Sequence, residues 1–373
     1  MNTKYALSRI AVAAGALSAL AVAVPAQAQA QTQNQTQTQN QTQASARRTT
    51  VYVETNAAAG NEVVAYHGDG TLVGRYSTGG AGNGGGLGSQ GAVTVADGGR
   101  TLYAVNAGSD TVSAFSVERS GALRLLGTAA TGSMPVSVAV SEGRVYVLGE
   151  NTVTTYCRHG WALVQIGQQP LSAGTSGAAE VAVTPDRRAL LVTEKGSSTI
   201  DVFALDQFGV PGPASKNASV GQTPFGFAFG RGATAVVSNV GPGAGASSAS
   251  GYQLRNGVLH NTAAAVPDGQ TAACWVAVGP DGRIAYVENA GSGTVSTYAV
   301  GADGSLRLLN ATAASPGGHA GDAAVSGHAL WILDNANGRI DDVALAGDGT
   351  PVATSVTATG LPASAAGLAA VTR

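Results

Sequence analysis

Residues 275–309 read WVAVGPDGRIAYVENAGSGTVSTYAVGADGSLRLL, and this stretch decides the fold. Trp275 to Val278 is a short strand, and Pro280-Asp281-Gly282-Arg283 follows it as a turn whose Asp-Gly pair supplies the positive φ of a tight hairpin. A second strand runs from Ile284 to Glu288. After an Asn/Gly/Ser turn comes a third, Thr294 to Tyr298, and after Ala302-Asp303-Gly304-Ser305 a fourth, Leu306 to Leu309.

The same unit recurs along the chain. Its first strand ends at Val95, Val140, Val183, Phe229, Val278, Val325 and Val371, so successive spacings are 45, 43, 46, 49, 47 and 46. Four antiparallel strands repeated at this period are the arithmetic of a propeller. The expectation is an all-β chain, a seven-bladed β-propeller of four-stranded blades over residues 49–373. Blade one opens at Val51-Tyr52-Val53, which matches a second strand, so its first strand must be the C-terminal Leu368 to Val371. The two ends then close the ring in one sheet and leave no long free edge. The residue before each terminal Val or Phe is Thr94, Ala139, Ala182, Ala228, Ala277, Ala324 or Ala370, the small side chain expected where innermost strands crowd round an axis.

Ahead of the repeats, Lys4 and Arg9 precede an apolar run from Ile10 to Val24 and small-x-small sites ending at Ala28 and Ala30. This pattern predicts a secretory signal over residues 1–30, cleaved near Ala28 or Ala30, and hence a periplasmic or secreted protein. The run is shorter than the roughly 20 residues of a membrane span, and no second one follows. Residues 31–48, dominated by Gln, Thr and Asn, have almost nothing to bury and read as a disordered leader. Removing Lys4 and Arg9 leaves 18 of 20 basic residues against 22 acidic ones, a net charge of −4. With no basic stripe, nucleic acid is not an expected partner. Cys157 and Cys274 are too few for a disulfide framework, and the repeat puts them in different blades.

The pattern Leu102-Tyr103-Ala104-Val105-Asn106-Ala107-Gly108-Ser109-Asp110-Thr111-Val112, echoed from Ala285 to Val295, resembles the lactonase-type seven-bladed propellers, which include bacterial 6-phosphogluconolactonase, carboxymuconate cyclase and the exported Tyr-Val-x-Asn repeat propellers. The resemblance spans the whole folded region. It implies hydrolysis or formation of a lactone of a sugar acid or muconate-type substrate. Catalytic members carry Arg and His near the start of an inner strand; the matching place here, Thr223 to Phe229, holds neither.

In a propeller the loops entering inner strands share one face with the loops between second and third strands. Three before the terminal Val or Phe stand Ala92, Ser137, Glu180, Gly226, Trp275, Asp322 and Leu368. Glu180 and Asp322 are the carboxylates of that column, three blades apart, and as a pair they could divide acid and base roles, bind a divalent metal ion, or cap loop amides. His319, three before Asp322, is the expected general base of an enzyme. Trp275 is placed to stack a ring. Glu194 and Lys195 depart from the Asn that ends the other second strands, at Asn106, Asn239, Asn289 and Asn335, and with Asn289 complete the expected substrate contacts. Cys274 lacks a neighbouring base and reads as a small buried residue. The loop Gly79 to Gly91 has no Lys or Ser/Thr at phosphate-loop spacing. Two functions fit this face: a monomeric lactonase or cyclase acting on a small lactone, with a metal ion or with no cofactor, and a non-catalytic propeller that binds a glycan, peptide or envelope protein.

Overall fold

In the computed structural model the described residues are 48–160, 162–174 and 177–373. The signal expected at 1–30 and, but for Arg48, the leader at 31–48 lie outside them. Seven four-stranded antiparallel sheets follow one another along the chain. In blades two to seven the innermost strands are Val93–Ala96, Ser137–Ser141, Ala178–Val183, Pro224–Phe229, Ala273–Val278 and Ala320–Ser326. The later strands of blade six, Ile284–Asn289, Thr294–Val300 and Leu306–Ala314, begin where the sequence places them.

Blade one is closed by the C-terminus. Ala366–Thr372 pairs with Thr49–Glu54, with Leu368 opposite Val53 and Val371 opposite Thr50. Thr49 Oγ1 and Thr372 Oγ1 share a hydrogen bond of 2.7 Å at the end of this join.

Each sheet buries its faces against its neighbours, so the core is a set of seams. Tyr146 and Leu148 of blade three, for example, pack against Val181, Leu190, Val192 and Phe203 of blade four. Fully burying side chains of this kind is worth about 1.5–3 kcal/mol each. Tyrosines then tie one blade to a turn of the next. Tyr52 Oη donates to Gly121 O at 3.0 Å, Tyr146 Oη to Gly209 O at 2.9 Å and Tyr286 Oη to Gly349 O at 2.6 Å.

The alanine column needs two corrections. Its members face the seams and not the axis: Ala139 stands opposite Tyr146 in the seam between blades three and four, and Ala277 opposite Tyr286 in that between six and seven. Sheet faces point at neighbouring blades, and the wedge between two sheets is narrowest at the innermost strand, which favours a small side chain, alanine or, in blade two, Thr94. In blade one the pairing puts Ala369 opposite Tyr52 and Ala370 opposite Val51, so Ala369 holds the place expected for Ala370. Cys157, on the third strand of blade three, and Cys274, on the innermost strand of blade six, are both free thiols. Among the described residues no helix is long and apolar enough to cross a membrane.

Deleting Ala366–Arg373 would strip the inner edge from Thr49–Glu54 and open the cluster that holds Val51, Val53 and Leu368. The expected outcome is loss of the cooperative thermal transition followed by circular dichroism. A single sharp transition in the truncated chain would show that the ring does not depend on this closure.

Candidate functional site

The innermost strands turn a free edge to the channel, where backbone N–H groups still need acceptors. The column that starts three before the terminal residue supplies them to the following blade. Ser137 Oγ accepts from Val181 N at 3.3 Å, Glu180 Oε2 from Phe227 N at 2.6 Å and Asp322 Oδ2 from Leu368 N at 3.1 Å. Blade five has Gly226 in this place and no side chain to offer.

Gln90 fills the gap from across the axis. Its Oε1 accepts from Val276 N at 2.9 Å, and its Nε2 donates to Val276 O at 2.9 Å, Phe227 O at 3.3 Å and Glu180 Oε1 at 3.4 Å. A Cβ on Gly226 would stand 2.0 Å from Gln90 Oε1, so only glycine admits this amide. Gln90 ends the Gly-rich loop that enters blade two, and that loop is fastened along its length. Ser89 Oγ donates to Val136 O at 2.8 Å, Trp275 Nε1 to Ser89 O at 2.9 Å, Gly91 N to Asp322 Oδ2 at 3.0 Å, and Lys195 Nζ to Gly88 O. At its root Asn83 N donates to Asn56 Oδ1 at 3.0 Å and Asn56 Nδ2 to Asn83 Oδ1 at 2.8 Å.

Four buried carboxyls interact around this plug. Burial pushes Asp322 up to about 7, against the opposing pull of the Gly91, Ala323 and Leu368 amides. Burial likewise holds Glu54, Glu180 and Glu288 well above the usual carboxylate range, and the Asp322 charge adds to each shift. Glu288 is 1 % exposed, and among the described residues neither of its oxygens has a hydrogen-bond partner. Sequence reasoning passed over Glu54 and Glu288, although both stand two residues after a seam tyrosine, where Val105 and Leu148 occupy the matching places. Among the described residues no group of three or more His, Cys, Asp and Glu could hold a metal ion.

Above the plug, on the face of the entry loops, lies a pocket of about 240 Å³ lined by Gly86 to Ser89, Trp275, His319, Ala320, Gly321, Asn335 and Ala366. His319 is exposed at its rim, with its backbone N held by Asp334 Oδ1 at 3.2 Å and its carbonyl by Asn335 N at 2.9 Å. Trp275 is 5 % exposed and packs edge-on to Phe225, ring centroids 5.3 Å apart. Asn335 Nδ2 donates to Ala365 O at 2.9 Å, while its Oδ1 is buried and has no hydrogen-bond partner among the described residues.

The other expected site residues are placed elsewhere. Glu180 and Asp322 meet around the plug with their carboxyls spent on backbone amides, beneath the pocket rather than in its lining. Asn289 is buried and donates to Thr294 Oγ1 and Ser296 Oγ, the turn-holding role that Asn106 repeats with Thr111 and Ser113. Glu194 is buried and accepts from Ser172 Oγ at 3.5 Å. Lys195 lies over the Phe225 ring, 4.7 Å from its centroid, and burial holds its amine below the ordinary lysine range. The Cys274 thiol is pushed up to about 12 by burial, which makes it unreactive as a nucleophile. On the opposite face a hollow of about 390 Å³ is lined by turn and strand-end residues, and its Arg158 is paired with Asp97.

The carboxyls set a pH dependence. Asp322 titrates at about 7 in the fold against an ordinary 3.8, so between these values the folded chain holds more protons than the unfolded one. The stability these four groups contribute is then fullest below about pH 4 and is lost as pH rises through about 7 and on through the ionisation of Glu54, Glu180 and Glu288. Melting temperature measured from about pH 5 to about pH 8 should drop by several degrees, and Glu288→Gln, which removes one buried acid without changing its size, should flatten that slope. A parallel slope in the variant would show that Glu288 does not titrate in this range.

No family model and no curated protein matches the sequence. Solved structures do. The periplasmic gluconolactonase of Pseudomonas aeruginosa superposes with a TM-score of 0.67 at 19 % identity, over 87 % of this chain and 99 % of that one. A candidate 6-phosphogluconolactonase of Bacteroides fragilis gives 0.67 at 16 % identity, over 87 % and 98 %. A protein of Lactobacillus plantarum gives 0.66 at 18 % identity, over 86 % and 98 %. The fold of this chain is that of the lactonase-type seven-bladed propellers.

Proposed function

We propose that the chain is an exported hydrolase of sugar-acid lactones that works in the pocket beneath the Gly-rich loop. The observation that carries this reading is the convergence of His319, Trp275, Asn335 and the Gly-rich loop on one recess. Its volume of about 240 Å³ suits one sugar-sized ring; drug-sized ligands take about 300–1,000 Å³. The gluconolactonase with the same fold supports the choice of chemistry, and the signal read at residues 1–30 supports export.

The chemistry follows from these groups. Trp275, Ala320 and Ala366 give the ring carbons an apolar wall. His319 takes a proton from a water molecule as its oxygen bonds to the lactone carbonyl carbon. The ring C–O bond then breaks, and the proton passes to the departing ring oxygen, leaving a hydroxy acid. The amides of Gly86, Leu87 and Gly88, in the pocket wall, have no acceptor among the described residues and are available to the developing oxyanion.

Acid release from glucono-δ-lactone by the secreted chain tests this. His319→Ala should lower kcat/KM by about 10²–10⁴-fold, the usual worth of a positioned acid–base group. No turnover of any lactone in a sugar-acid panel by the native chain would overturn the proposal.

A further inference from the structure

We propose that the substrate of this pocket is an uncharged lactone, without the phosphate of a sugar phosphate or the free carboxylate of a muconolactone. The inference rests on the reading of the pocket as a lactonase site and goes on to its selectivity. Among the described residues no Lys or Arg lines the pocket. Two nearby cations are already committed. Lys195 Nζ donates to the carbonyl of Gly88 and lies against the Phe225 ring. Arg339 Nε lies 3.1 Å from Asp334 Oδ2 and 3.0 Å from Asp341 Oδ1, and its Nη2 donates to Pro316 O at 2.8 Å in the loop that carries His319.

The ground beneath the pocket holds acids and not bases. Asp322 follows the lining residue Gly321 directly, and Glu288 is the cross-strand partner of the lining residue Trp275. Protonated, these acids offer an anion no attraction; ionised, they repel it. A phosphate entering this recess would give up its hydration without gaining an ion pair from a lining Lys or Arg. A polyhydroxy ring without charge meets what the pocket does have, namely an apolar wall of Trp275, Ala320 and Ala366 and the unspent backbone amides of the Gly-rich loop.

The pocket wall also offers a place to reverse the selectivity. A Cβ at Gly86 would meet nothing within 4 Å, and the residue does not need the left-handed conformation, so a longer side chain is accommodated. The test compares kcat/KM for glucono-δ-lactone and 6-phosphogluconolactone in the native chain and in Gly86→Lys. The native chain should prefer the uncharged lactone by at least about 10-fold, and the lysine should narrow or reverse this ratio, with the gain fading as salt is added. Equal or faster turnover of the phosphorylated lactone by the native chain overturns the inference and leaves the hydrolase reading intact. If neither lactone turns over, the hydrolase reading fails, and calorimetric binding of gluconolactam against its 6-phosphate decides selectivity by itself: tighter binding of the phosphate overturns the inference, and tighter binding of the neutral lactam upholds it.

Discussion

The side-chain amide of Gln90 does for one innermost strand what a neighbouring strand would do. It accepts from Val276 N and donates to Val276 O, both at 2.9 Å, in the two-bond pattern of a sheet ladder. A ring of sheets meets its own axis edge first, so each blade must find partners for backbone groups that no further strand can reach. Where the column carries Ser137, Glu180 or Asp322, the side chain is the partner. Gly226 leaves a vacancy, and the chain fills it with a loop drawn across from blade two. The Gly-rich segment from Gly79 to Gly91 is therefore a structural strap, held by side chains or backbone of blades three, four, six and seven.

That solution concentrates carboxyls where water is scarce. Glu180 and Asp322 recover part of the cost through backbone amides, whereas both oxygens of Glu288 and Oε1 of Glu54 have no hydrogen-bond partner among the described residues. In the same position of the second strand, Thr193 Oγ1 donates to Phe225 O at 2.5 Å and Ser238 Oγ to Cys274 O at 2.8 Å, each reaching the innermost strand of the next blade. A carboxyl there can act as such a donor only while it keeps its proton, which is the state that burial enforces. Proton binding and inter-blade packing are thus one equilibrium at these positions.

Much of this was legible in the sequence because the repeat reports it seven times. Strand order, turn positions and closure by the C-terminus all rest on patterns that recur in every blade. The slip at Ala369 and Ala370 arose where two identical neighbours made the register ambiguous, and only pairing with Tyr52 resolves it. Glu180 and Asp322 stood out as departures, but their role depends on the amides of Phe227 and Leu368 in the following blade, a relation that spacing alone does not reveal. Asn289 repeats the turn-holding part of Asn106, so recurrence correctly pointed to structure at that place. Gln90 escaped notice because it lies outside the repeat; the signal for it was the glycine at 226, an empty position between Glu180 and Trp275 in a column otherwise able to cap or pack.

The strap connects the scaffold to the site. Gly86 to Ser89 wall the pocket, and the next residue, Gln90, is bonded across the axis. Trp275 belongs to both, lining the pocket while its indole N–H fixes Ser89 O at 2.9 Å. A substitution at Gly226 would expel Gln90 and so move the pocket wall, although residue 226 lies outside the lining and 136 positions further along the chain. Residues that touch no ligand therefore set the geometry of the loop amides proposed to meet the oxyanion, and positioning errors of about 1 Å in such groups are enough to cost about 10²-fold in rate. The packing of the axis and the chemistry of the face are accordingly constrained by the same bonds.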